Sequence, residues 1–259
     1  MGYEFNVEKV TEGAINWIRE WFDQNGKGRN CFVAVSGGKD STICAALCVK
    51  ALGADRVIGV MMPCGVQKDI SDSIRVCEYL GIKNYTINIE GAVNATLKQM
   101  EDAGIEISNQ TVVNLPPRIR MSTLYAVSQS HNGRVSNNCN LSEDICGFST
   151  RFGDSVGDFS PLSNLTTVEI VQIGDYLGLP YDLVHKVPMD GLNMNENDEY
   201  ITDEDIMGVK YSDIHLYARY PHKLMELNPD VYEAIRQKEI KNAFKLKPMP
   251  AYKPDFNLA

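Results

Sequence analysis

Apolar residues recur at helical spacing near the start of the chain. Val10, Ala14, Trp17, Ile18 and Trp21 share one face of a 3.6-residue period, which predicts an amphipathic helix closed by Asn25-Gly26-Lys27-Gly28. The pattern then changes. Cys31 to Val35 is apolar without alternation, as in a short strand buried on both faces. Ser36-Gly37-Gly38 turns the chain into a helix from Ile43 to Leu52, which stops at Gly53. A second buried strand, Arg56 to Met62, ends at Pro63. A helix from about Ile70 to Leu80 stops at Gly81, and Tyr85 to Ile89 is the third strand.

Strands and helices alternating at this spacing predict right-handed βαβ units. The expected fold is α/β, a doubly wound parallel sheet with helices on both faces. Such sheets bind ligands beyond the C-terminal strand ends, where the strand order reverses. That rule points to residues 36–41 and to the turn after Met62. Farther along, Asn114-Leu115-Pro116-Pro117 reads as a helix start, since proline is tolerated in a first turn, and Asn132-Gly133 closes that helix. Thr166 to Leu177 and Tyr211 to Arg219 are further helices. Pro248, Pro250 and Pro254 mark an extended tail. With 259 residues and no linker-like stretch, one domain over 1–259 is expected.

Charge narrows the partners. The net charge is −9, and the only basic series is Lys238, Lys241, Lys245 and Lys247. An acidic surface repels a phosphate backbone, so no nucleic-acid partner is expected. No run of about 18 apolar residues would span a membrane. Glu4, Glu8 and Glu12 rule out a signal peptide at the start. Seven cysteines, with Cys44 and Cys48 one helical turn apart, are expected to be reduced and mostly buried, as in a cytoplasmic protein. The histidines fit no metal or triad spacing.

The richest segment is Ser36-Gly37-Gly38-Lys39-Asp40-Ser41, between a buried strand and a helix. Two glycines allow close approach of an anion, two serines add hydroxyls, and a helix start offers free N–H groups. Asp40 would repel phosphate unless a magnesium ion lies between them. A Walker loop is excluded: position 33 is Val where Gly is needed, and Asp40 stands where Ser or Thr should follow the lysine.

This loop resembles the pyrophosphate-binding motif of the N-type ATP pyrophosphatases, which adenylate an oxygen of their substrate and release pyrophosphate. The resemblance implies that Ser36, Gly37, Gly38, Asp40 and Ser41 hold ATP phosphates and magnesium. Within that superfamily, later motifs are similar to those of ammonia-dependent NAD synthetases. They are Arg118-Ile119-Arg120-Met121 with Tyr125, then Ser142-Glu143, Gly147-Phe148, Arg151-Phe152-Gly153-Asp154, Asp158, Pro161-Leu162, and finally Phe244-Lys245 with Pro248.

The likeness implies Glu143 as the second metal ligand beside Asp40, and Asp154 near the reacting centre. It implies Arg118, Arg151, Asp158 and Lys245 as contacts to deamido-NAD, with ATP and ammonia as the other substrates and a homodimer as the assembly. Arg118 and Arg120 lie about 200° apart on a helix, so only one can face the cleft; the resemblance selects Arg118. Three positions depart from the family's usual residues. Asn138 replaces Thr, Thr167 replaces Lys and Met189 replaces Ser or Thr, and all three are expected to touch ATP. The alternatives are another ligase of the superfamily or a nucleotide-binding relative without turnover.

Overall fold

In the computed structural model, which describes residues 3–189 and 201–254, the side chain of Asn6 accepts the Lys9 N–H and opens α1, Val7–Asn25. The chain then enters β1, Asn30–Ala34, and α2, Lys39–Leu52. β2, Val57–Met61, leads to α3, Ile70–Leu80, and β3, Lys83–Thr86. α4, Glu90–Asp102, and α5, Asn109–Ser130, precede the short β4, Gly133–Val135. All pairings are parallel, and the strand order is β3-β2-β1-β4. The order reverses at β1, so the crevice beyond β1 and β4 is the expected ligand site.

Both faces of the sheet are buried, as the unalternating runs require. Cys31, Val33 and Val35 of β1 and the turn after it point to the layer of α1, α2 and α3, with Ile18 and Phe22 from α1 and Ile43 and Leu47 from α2 in the same cluster. Phe32 points the other way, with Ile58 and Val60 of β2, against Val93 of α4 and Leu124 of α5. Gly59 lets α3 close on the sheet: a Cβ there would lie 2.7 Å from the Cys77 Sγ.

Beyond β4 the chain is helical: α6, Leu141–Cys146; α7, Thr167–Tyr176; α8, Tyr181–Val184; α9, Asp203–Met207; α10, Tyr211–Arg219; α11, Pro221–Leu227; and α12, Pro229–Asn242. α7 packs with α1 and α2, while α6 and α10–α12 form a separate cluster around Ile145, Ile214, Leu224 and Ile235.

Three boundaries differ from expectation. α2 begins at Lys39, not Ile43, so its first turn includes Asp40 and Ser41 of the loop. The third strand is Lys83–Thr86, not Tyr85 to Ile89. It is an edge strand with an exposed polar start; Ile87 and Ile89 lie past it and donate to the Met61 and Pro63 carbonyls at 2.9 Å. α5 begins at Asn109, capped by Ser108, so Pro116 and Pro117 lie inside it and not at its start. Proline cannot donate to the carbonyl four residues back, so the Val112 and Val113 carbonyls lose their helical partners there.

Candidate active site

A cavity of about 630 Å³ opens beyond the C-terminal ends of β1, β2 and β4. The loop after β1 forms one wall. Gly37 has φ +79°, a left-handed value that glycine tolerates, and a Cβ there would stand 2.9 Å from the Ser73 backbone nitrogen. The hydroxyl of Ser41 ties the turn together: it accepts from the Ser36 N–H at 3.2 Å and donates to the Gly38 carbonyl at 3.1 Å. Gly38 is the N-cap of α2 and offers no capping side chain. The first turn of this helix is therefore free to receive an anion.

The segment after β4 forms the facing wall. Asn138 donates to the Ala34 carbonyl at 2.9 Å and accepts from the Ser136 hydroxyl at 3.1 Å, which joins β4 to β1. Asn140 and Glu143 form a reciprocal cap on α6. The side chain of Asn140 accepts from the Ser142 and Glu143 N–H groups and donates to Asp40 Oδ1 at 3.3 Å. Glu143 Oε2 accepts the Asn140 N–H at 3.1 Å.

Asp40 and Glu143 both line the cavity. Burial, and then the charge of Asp40, push the Glu143 carboxyl well above the usual carboxylate range, against the pull of Lys39. That is an excess of negative charge in want of a cation. Lys39 meets part of it. Burial alone would lower its ammonium, but Asp40 and Glu143 hold it above its ordinary value.

Three further groups complete the wall. Asp154 is raised by burial, although its Oδ1 accepts the Thr150 N–H at 2.9 Å. Lys245 donates to the Gly147 and Ser149 carbonyls at 2.7 and 3.2 Å, and burial lowers its ammonium. Arg120 donates to the Met62 carbonyl at 2.9 Å from α5 and lines the cavity. The chamber is thus lined by Lys39, Arg120 and Lys245 as well as by Asp40, Glu143 and Asp154, a set suited to a polyphosphate bound with a metal ion.

The sequence profile of the NAD synthase family matches residues 10–253. The chain belongs to the NAD synthase family. It is 35% identical over 204 residues to the NH(3)-dependent NAD(+) synthetase of Thermococcus sibiricus, covering 78% of this chain and 76% of that one. Among solved structures it resembles the NMN synthetase of Francisella tularensis (TM-score 0.80, 28% identity, 98% of this chain and 100% of that one). It also resembles the NH3-dependent NAD synthetase of Campylobacter jejuni (TM-score 0.79, 26% identity, 96% and 100%).

Set against this NAD synthase frame, the structure brings most of the expected residues into one chamber. Ser36, Gly38, Asp40 and Ser41 line it from the loop, and Asn138, Glu143, Asp154 and Lys245 from the other side. Gly37 is buried behind them. The two arginines of α5 are reversed: Arg118 is exposed and Arg120 faces the cavity. The cause is helix phase. Pro116, Arg120, Leu124 and Ser128, at steps of four, form the inner face, and Arg118 lies off it.

Arg118 Nε instead donates to the Arg151 carbonyl at 3.3 Å. The guanidinium of Arg151 lies over the rings of Phe152 and Phe244, 4.8 and 5.3 Å from their centroids. Asp158 is outside the chamber. Its Oδ2 accepts the Val135 N–H at 2.8 Å and its Oδ1 accepts the Tyr125 hydroxyl at 3.2 Å, so it ties β4 to α5.

Of the three departures, Asn138 and Met189 line the cavity. Thr167 is one layer behind and donates to the Asn140 side chain at 3.3 Å. Lys39, Lys186 and Asp203 are cavity residues to which no role was expected, and Arg120 is one that was set aside in favour of Arg118. Lys186 bridges Asp69 and Asp72 at 2.6 and 2.7 Å, and so fastens the segment before Met189 to the start of α3.

Proposed function

We propose that the protein is an ammonia-dependent ligase that converts deamido-NAD to NAD and ATP to AMP and pyrophosphate. The observation that carries this reading is the facing pair of walls at the strand-order reversal. One wall is a free helix start behind two glycines; the other holds the carboxylate of Glu143 opposite Asp40.

A carboxylate does not condense with ammonia in water, because an oxide ion is too poor a leaving group. Activation solves this. A nicotinate carboxylate oxygen attacks the α-phosphorus of ATP and the bond to the β-phosphate oxygen breaks, which gives an acyl adenylate and pyrophosphate. Ammonia attacks the acyl carbon, its extra proton is lost, and AMP departs. The loop N–H groups and Ser36 bind the leaving pyrophosphate, and Lys39 and Arg120 offset its charge. Holding the reactants side by side in a walled chamber removes much of the entropic barrier. Asp154, a cavity carboxyl raised by its burial, would take the proton from the attacking ammonia.

Magnesium commonly takes one or two carboxylates plus substrate phosphates and water, and Asp40 with Glu143 fits that demand. When bound, it would neutralise charge on the leaving pyrophosphate. The dinucleotide would reach from the chamber past Lys245 to the outer patch of Arg118, Arg151 and Phe244. We further propose a single domain over 1–259, a two-fold homodimer and a cytoplasmic location. Among the described residues no helix is long and apolar enough to cross a membrane.

The direct test uses deamido-NAD labelled with ¹⁸O in its carboxylate. One labelled oxygen should appear in the phosphate of AMP. Its absence from AMP while NAD forms would refute adenylation. The likeness to the Francisella NMN synthetase supports one second reading, in which the mononucleotide replaces the dinucleotide as acceptor. Comparing kcat/KM for the two acceptors decides between them.

A further inference from the structure

Lys39 lies in the middle of the phosphate loop, yet its side chain is only 5% exposed. Its ammonium is 2.9 Å from Asp40 Oδ2 and 5.2 Å from the centroid of the Tyr211 ring. The Tyr211 hydroxyl donates to Asp203 Oδ2 at 3.2 Å. The other oxygen of Asp40 accepts from Asn140 at 3.3 Å. Each oxygen of Asp40 therefore already has a partner within the protein, and the one on Oδ2 is a cation. Glu143 and Asp203 line the same cavity and add their attraction to the hold of Asp40 on this ammonium. A divalent cation and the ammonium cannot both take Asp40 Oδ2 without strong like-charge repulsion.

We propose that Lys39 is a resident counter-cation of Asp40 that makes divalent-metal binding conditional on nucleotide. Without nucleotide, the ammonium holds the oxygen that a metal ion needs. The phosphates of ATP offer the ammonium a new partner in the same chamber, and Asp40 is released. Lys39 is thus a positioning residue: it delays metal capture until the polyphosphate is present, and then adds its charge to the phosphate site. The inference rests on the ligase reading of this loop.

The test measures Mn²⁺ binding to the full-length, nucleotide-free protein by electron paramagnetic resonance. Lys39→Gln and Lys39→Met should each bind Mn²⁺ at least tenfold more tightly than the wild type. Removing a unit charge at ion-pair distance in a medium of intermediate dielectric has at least that effect. Lys39→Met keeps the length and apolar stem of the side chain, so it serves if the Gln variant folds poorly. Lys39→Arg should show no tightening. Asp40→Asn added to Lys39→Gln should abolish the gain.

Unchanged or weaker Mn²⁺ affinity in both neutral variants would overturn the proposal, and so would a gain that survives Asp40→Asn. No substrate enters this comparison. A wild type that makes no NAD while the variants tighten Mn²⁺ would refute the ligase reading alone; an active wild type with unmoved Mn²⁺ affinity would refute the role of Lys39 alone.

Discussion

Replacing Gly37 by alanine should damage both the fold and the phosphate site, and the structure separates two costs. The first is conformational. At φ +79°, an L-residue costs about 1–2 kcal/mol relative to glycine. The second is steric. The added Cβ would lie 2.9 Å from the Ser73 backbone nitrogen and 3.0 Å from the Asp72 Cβ. A backbone atom at the start of α3 cannot swing aside like a side-chain tip, so overpacking adds about 1–3 kcal/mol.

Gly81 isolates the first cost. It has φ +63°, with nothing within 4 Å of a built Cβ, so Gly81→Ala should lose only about 1–2 kcal/mol. The gap between the two variants in urea unfolding, read as midpoint shifts at a common slope, measures the contact with α3. Gly37→Ala should also weaken ATP binding tenfold or more by calorimetry, since relieving the contact moves the loop N–H groups. Gly81→Ala should leave ATP binding unchanged. Equal destabilisation of the two variants, with normal ATP affinity in Gly37→Ala, would refute the view that this close packing fixes the loop.

Other tests reach different parts of the site. Burial and the nearby Asp154 raise the carboxyl of Asp144 to about 6, above the unfolded value of 3.8. Between those values the folded state binds more protons than the unfolded one, so this group makes stability fall as pH rises through that window. A shift of about two units corresponds to roughly 3 kcal/mol, and its partial exposure reduces that to about 1–2. Asp144→Asn should therefore stabilise the protein at about pH 8 but not near pH 3.5, as thermal unfolding at both values would reveal; an equal gain at both would contradict it. Arg118→Lys should weaken deamido-NAD binding about tenfold and spare ATP, from loss of a charge-assisted contact of about 1.5–3 kcal/mol, whereas Arg120→Lys should weaken ATP. Separate calorimetric titrations would expose the reverse assignment. Glutamine should not replace ammonia; comparable NAD formation from ammonia-free glutamine would contradict that expectation.

How far the sequence could be followed varies along the chain for physical reasons. β1 and β2 were legible because strands buried on both faces are apolar at every position, and their ends carry Gly and Pro. β3 slipped because an edge strand need not be apolar: Lys83 and Asn84 face solvent, and the apolar residues after them cover the sheet end instead. β4, only Gly133–Val135, is too short to have a period, although it forms half of the crevice. The short α6, α8, α9 and α11 were not anticipated, nor were the longer α4 and α12. Each of the longer two buries few side chains, so the apolar stripe that marks a helix is faint.

Within the site, the loop was readable because glycine at a left-handed turn and a free helix start have a chemical meaning in sequence. The choice between Arg118 and Arg120 required the phase of α5, and Leu124 four residues on already carried that phase. Asp203 and Lys186 reach the chamber by tertiary folding alone, with no local pattern to announce them. Asp158 carries the right charge in the right motif, but a neighbouring backbone N–H and a tyrosine take up both its oxygens.

The measurement closest to the central claim is product stoichiometry. Purified protein mixed with ATP, magnesium, deamido-NAD and ammonium should yield NAD, AMP and pyrophosphate in equal amounts, with no ADP. Asp40→Ala should form none of them; because it also leaves the buried Lys39 ammonium without its 2.9 Å partner, its fold is checked by circular dichroism, and Asp40→Asn, which keeps the side-chain shape, should be equally inactive. Release of ADP and phosphate, or undiminished turnover by Asp40→Ala at limiting magnesium, would contradict the account.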